Sequence, residues 1–82
     1  MPVIRLQSID PEKNRFRENC LSVGQDLFGE YYLTIHWGRI GSEGDFKRYW
    51  HQTEKDAYNH AERIVMKRIR RGYQYTQDSL KF

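Results

Sequence analysis

The residues with the most chemistry to offer stand at 36–45, HWGRIGSEGD, where Trp37 is followed by Gly38 and Arg39 and then by Gly41 and Gly44. An aromatic ring beside a glycine-rich loop and an arginine suits an exposed base or ribose. The ring stacks, worth ~1–3 kcal/mol per base, and the planar guanidinium contacts phosphate. The same tryptophan has a structural use, as a half-buried indole capping the core at the end of a strand. The glycines fit a hairpin loop that needs positive φ or the close approach of another backbone.

A second group of candidates is Lys67, Arg68, Arg70 and Arg71, with Tyr73 just beyond. Residues 47–73 hold eight lysines and arginines against three carboxylates, a local charge of +5 in a chain whose total is +3, so the remainder is slightly acidic. Such asymmetry is the footprint of a surface that meets phosphate, although a basic helix face also serves solubility.

Other chemistries lack their residues. His36, His51 and His60 show neither CxxC nor HxxxH spacing, so no metal site is expected. There is no GxSxG elbow, no P-loop lysine and no GxGxxG after a strand, and GRIGSEG lacks the Lys-Ser/Thr pair that grips phosphate. Carboxylates are scattered singly, which leaves no set for acid–base work. The expectation is a non-enzymatic protein without a cofactor. Cys20, the single cysteine, cannot form an internal disulfide and in ENCLSV reads as a small half-buried hydrophobe.

The elements that must position these residues follow from periodicity. VIRLQS alternates Ile4 and Leu6 with Arg5 and Gln7, and DPEKN ends that strand near Ile9. From Arg15 to Val23 a second strand places Asn19, Leu21 and Val23 on one face, and GQDLFGE reads as the loop after it. In EYYLTIHW, Tyr31, Leu33, Ile35 and Trp37 alternate with Tyr32, Thr34 and His36, so Trp37 falls in line with core residues at the strand's mouth. DFKRYWHQ alternates again, with Phe46 and Trp50 on one face and Tyr49 and His51 on the other; the pattern leaves open which is inside.

Thr53 is a helix N-cap, with Asp56 three residues on, and Gly72 is the residue just past a helix ending at Arg71. Ala57, Tyr58, Ala61, Ile64, Val65 and Ile69 form its apolar stripe, opposite Asn59, Arg63, Lys67 and Arg70. Arg68 projects into that stripe and must snorkel, pair or reach a ligand. Tyr73 and Tyr75 suit a short edge strand. The sum is an α+β fold: an antiparallel sheet of four or five strands with one C-terminal helix packed across one face.

At 82 residues, without repeats or linkers, residues 1–82 form a single domain with a modest core, and 76–82 form a loose tail. Charged residues at 30% and a mean hydropathy of -0.94 exclude a spanning helix. MPVIRLQSID shows no signal-peptide pattern, so a cytoplasmic monomer away from membranes is expected.

At WGRIGSEG the chain resembles the WGR domain, named for its Trp-Gly-Arg motif and found in DNA-dependent poly(ADP-ribose) polymerases and in small stand-alone bacterial proteins. The similarity spans about residues 17–75. It rests on Trp37-Gly38-Arg39 with Ile40, Gly41 and Gly44, on YYLTIHW before them, on QDLFGE, and on KRIRRGY at the helix end. It implies an antiparallel sheet crossed by one helix, and binding of DNA at a break. It also implies that Trp37 stacks near a strand terminus, that Arg39 contacts DNA or a neighbouring domain, and that Arg68 and Tyr73 are the family's late-helix basic residue and following aromatic. Asp45 stands where the family usually has glutamine, Glu18 and Asn19 where relatives often carry an aromatic pair, and the 82 residues hold no catalytic ADP-ribosyltransferase domain. The reading is a DNA-binding module for duplex ends or nicks, using Trp37, Gly38, Arg39, Lys67, Arg68, Arg70, Arg71 and Tyr73. Its alternatives are a protein-interaction module docking through Trp37 and Arg39, and an accessory of a toxin or phage system.

Overall fold

The computed structural model describes residues 3–76. Turn chemistry at each predicted break divides the chain into β1 (Val3–Asp10), a 3-10 turn at Pro11–Lys13, β2 (Arg15–Gln25), β3 (Tyr31–Arg39), β4 (Asp45–His51), α1 (Glu54–Arg70) and β5 (Gln74–Tyr75). The strands form one antiparallel sheet in the order β4-β3-β2-β1-β5. The fold is the expected α+β arrangement, with five strands.

Alternation along the strands sends Ile4, Leu6, Leu21, Val23, Leu33 and Ile35 to one face, where they are buried under Ala57, Ala61 and Val65 of α1. Alanines at 57 and 61, both fully buried, let the helix lie close to the sheet. Burying each large aliphatic side chain contributes roughly 1.5–3 kcal/mol, so this layer is the main source of stability. Tyr49 and His51 settle the ambiguity of β4: they are half-buried on the helix side, whereas Phe46 and Trp50 stay exposed on the other.

Both ends of α1 form as their residues dictate. The Thr53 hydroxyl accepts the Asp56 amide at 3.1 Å. At the other end Gly72 adopts φ +95, its amide donates to the Ile69 carbonyl, and the Tyr73 amide donates to the Arg68 carbonyl at 3.0 Å. This Schellman pairing reverses the chain and returns Tyr73, 6% exposed, to the sheet.

Two expectations shift. Gly24 belongs to β2, so the loop before β3 is shorter than GQDLFGE suggested. A Cβ at Gly24 would meet the Tyr32 ring at 2.6 Å, and glycine is what lets that ring lie across the strand. Ile69 is 40% exposed, because in the last turn Arg68, not Ile69, faces the sheet. Of the tail expected at 76–82, Thr76 donates its amide to the Arg5 carbonyl, and the rest lies outside the described residues. Among the described residues no helix is long and apolar enough to cross a membrane.

Candidate nucleic-acid interface

Cross-strand register places Leu6, Asn19, Trp37 and Asp45 in one row on the helix side of the sheet. Leu6 and Asn19 are buried beneath the end of α1, and Trp37 beyond them is 39% exposed, its ring at the rim of an open cleft of about 230 Å3. β2 supplies Arg15, Arg17 and Asn19 to that cleft, β3 supplies Trp37 and Gly38, α1 and its cap supply Arg68 and Arg71, and Tyr73 closes the floor. Among the described residues four arginines line it, and no carboxylate does.

The loop after Trp37 is shaped by backbone contact. A Cβ on Gly38 would come within 2.8 Å of the Gly44 Cα, and one on Gly44, itself at φ +63, within 2.1 Å of the Trp37 carbonyl oxygen. Both uses foreseen for these glycines therefore occur together, positive φ and backbone on backbone. The Ile40 amide donates to the Phe16 carbonyl at 2.8 Å, and the Ser42 amide and hydroxyl both donate to the Arg39 carbonyl. The loop is held, and the indole is held with it.

Arg68 pairs rather than snorkels. Its Nε donates at 3.1 Å to Oδ1 of Asn19, a side chain only 3% exposed, which satisfies the buried amide oxygen and fixes the guanidinium at the cleft wall. Arg15 is fixed in the same way, with Nε donating to the Ser8 hydroxyl at 2.8 Å and its guanidinium 5.7 Å from the Tyr73 ring centre. Arg17 lies directly across from Arg39 in the β2–β3 register, but the Arg39 guanidinium is drawn off to the Phe16 ring, which leaves Arg17 alone of the two in the cleft. Such a cluster is suited to phosphate, since guanidinium groups are permanently charged and match its oxygens in pairs.

The eight residues expected from sequence divide into three places. Trp37, Gly38, Arg68, Arg71 and Tyr73 meet in the cleft. Arg39 turns away, its guanidinium 5.0 Å from the Phe16 ring centre and Nη2 donating to Asn14 Oδ1 at 3.3 Å, beside a recess shared with Glu18, Cys20 and Glu43. Lys67 and Arg70 lie on the outer face of α1 with Glu62 and Arg63. Sequence reasoning missed Arg15 and Arg17. Their signal was parity, since both alternate in phase with Asn19, Leu21 and Val23 and so had to share the face of Trp37. Asp45 is the cross-strand neighbour of Trp37.

The sequence model of the WGR domain family matches residues 3–79. Uncharacterized protein y4dW of Sinorhizobium fredii (strain NBRC 101917 / NGR234) is 31% identical over 68 residues, covering 83% of this chain and 33% of that protein. The chain thus spans about a third of the length of the curated relative it matches. No solved structure matches.

Proposed function

The chain belongs to the WGR domain family, whose members occur in nucleic-acid-binding contexts, and from that premise we propose a non-catalytic module that binds duplex DNA at ends or nicks. One observation carries the reading: the half-exposed Trp37 indole stands at the rim of a cleft that, among the described residues, is lined by four arginines and no carboxylate. An intact duplex offers phosphates but no free base face; an end offers both, and a nick does so once the duplex bends open there. In this reading Trp37 stacks on the exposed base, while Arg15, Arg17, Arg68 and Arg71 contact the flanking phosphates. Gly38, lacking a side chain, leaves the approach to the indole open, and Tyr73 supports Arg15 from below. Lys67 and Arg70 add to the field on the outer helix face.

Fluorescence anisotropy of nicked against covalently closed duplex tests this. The nicked form should bind tighter, and Trp37→Ala should erase the difference. Equal affinity for both forms would refute it.

A second reading has its own observation. Arg39, held over Phe16 and turned out of the cleft, is exposed beside the Gly41–Ser42 turn, where a protein partner could dock. Loss of a partner on Arg39→Ala with DNA affinity unchanged would favour it.

A further inference from the structure

The face of the sheet turned away from α1 carries aromatic side chains that the cleft does not use. Facing that side on β3 and β4 are Tyr32, Thr34, His36, Phe46, Arg48 and Trp50, which pair across the two strands as Tyr32 with Trp50, Thr34 with Arg48 and His36 with Phe46. The His36 and Phe46 rings stack at 5.4 Å and 25°, and the Tyr32 and Trp50 rings lie 5.9 Å apart. Arg48 sits between the two pairs, its guanidinium 5.1 Å from the Tyr32 ring centre and 5.9 Å from that of Phe46, with Nε on the Thr34 hydroxyl at 3.3 Å. Phe46 and Trp50 are 60% and 53% exposed. The Trp50 indole is tied at one end, Nε1 donating to Asp26 Oδ2 at 3.3 Å. These six positions include a fixed cation and a histidine, and no carboxylate.

Rings in a row with a guanidinium among them match a single strand, whose bases stack on the rings while its phosphates meet the arginine. Asp26 is held at the Trp50 edge, and among the described residues no carboxylate pairs with Arg48, so a protein surface covering the same face would have to supply one or bury the charge alone. The two faces also join at one point. Trp37 and Gly38 line both the arginine cleft and the recess on the other side, and that recess holds His36 and Arg39 together with the Glu18 and Glu43 carboxylates, past which the strand must turn base-first. From the His36–Phe46 pair to the Tyr32–Trp50 pair is four residues of strand, about 13 Å, the length of roughly four nucleotides at the spacing of a stacked strand.

We propose that this face holds the single-stranded overhang of a broken DNA duplex whose end sits at Trp37, an inference that rests on the duplex-end reading. The chain's two tryptophans give each face its own indole signal in a proton–nitrogen NMR spectrum. A blunt duplex should move the Trp37 indole alone. The same duplex with a tail of about six thymidines should move both and bind about fivefold or more tighter. Phe46→Ser, at an exposed edge-strand position, should abolish the tail's gain and the Trp50 shift while leaving blunt-end affinity unchanged. A Trp50 signal indifferent to the tail, or a gain that survives Phe46→Ser, overturns the proposal. So does a Trp50 shift that follows protein concentration without DNA, which would assign the face to a second copy of the chain. If oligothymidine alone moves Trp50 while no duplex moves Trp37, the duplex-end reading fails and single-strand binding by this face stands.

Discussion

Arg71→Gln isolates the contribution of one cleft arginine without disturbing the fold. The residue is exposed, and its part in capping α1 is played by its backbone amide, which donates to the Arg68 and Ile69 carbonyls and survives the change. Thermal stability should stay within about 0.5 kcal/mol of the parent. If all four cleft arginines neutralise phosphates on B-DNA, log affinity falls with log salt at a slope near ~−3.6, so raising salt from about 50 to about 200 mM weakens binding ~150-fold. Removing one contact brings the slope to ~−2.7 and the loss to ~40-fold. Anisotropy titrations of a labelled nicked duplex across that range read both numbers. Arg70→Gln removes the same charge from the outer face of α1 and should change the slope by clearly less. An unchanged slope in Arg71→Gln, or an equal change in both variants, would refute the placement of the phosphate path in the cleft.

Three further outcomes follow from the geometry. Gly44→Ala should destabilise the protein by more than about 1 kcal/mol and weaken end binding, because its Cβ at φ +63 would strike the Trp37 carbonyl; a calorimetric melt indistinguishable from the parent would contradict the loop geometry. His60 donates to or accepts from His51 at 2.9 Å, and burial first, then the charges of His51, Arg63 and Lys67, hold its pKa below 6.5. The unfolded chain therefore takes up the proton before the folded one, so stability should be full above pH 6.5 and decline as pH falls below it, a decline that melts at graded pH would show reduced in His60→Phe. Asp45→Gln removes a carboxylate across from Trp37 and should tighten duplex-end binding severalfold, measured by anisotropy; weaker binding would show that the carboxylate serves the loop instead.

What could be read from sequence was what local chemistry decides. Thr53, Asp56 and Gly72 mark both helix ends because capping is settled within a few residues. The alternation of Tyr31, Leu33, Ile35 and Trp37 fixes their shared face because a strand has period two. Arg68 announced itself by being a cation in an apolar stripe. The remainder depended on register between distant segments. Arg15 and Arg17 join Arg68 only because β2 lies beneath the end of α1, more than 50 positions away in the chain. Arg39 leaves the face of Trp37 because its long side chain finds the Phe16 ring and Asn14, which no spacing rule encodes. In β4, aromatic residues on both faces cancel the usual contrast, and only the packing of α1 decides that Tyr49 goes in and Trp50 stays out.

The most direct measurement is the Trp37 indole resonance during titration with a duplex carrying a single nick, at low salt. Stacking of Trp37 on the exposed base predicts a saturable shift of that signal, together with movement of the Arg68 and Arg15 Nε resonances, and a much smaller response to covalently closed duplex. A Trp37 indole that stays in place while nicked DNA saturates the protein, or while no DNA binds at all, would contradict it.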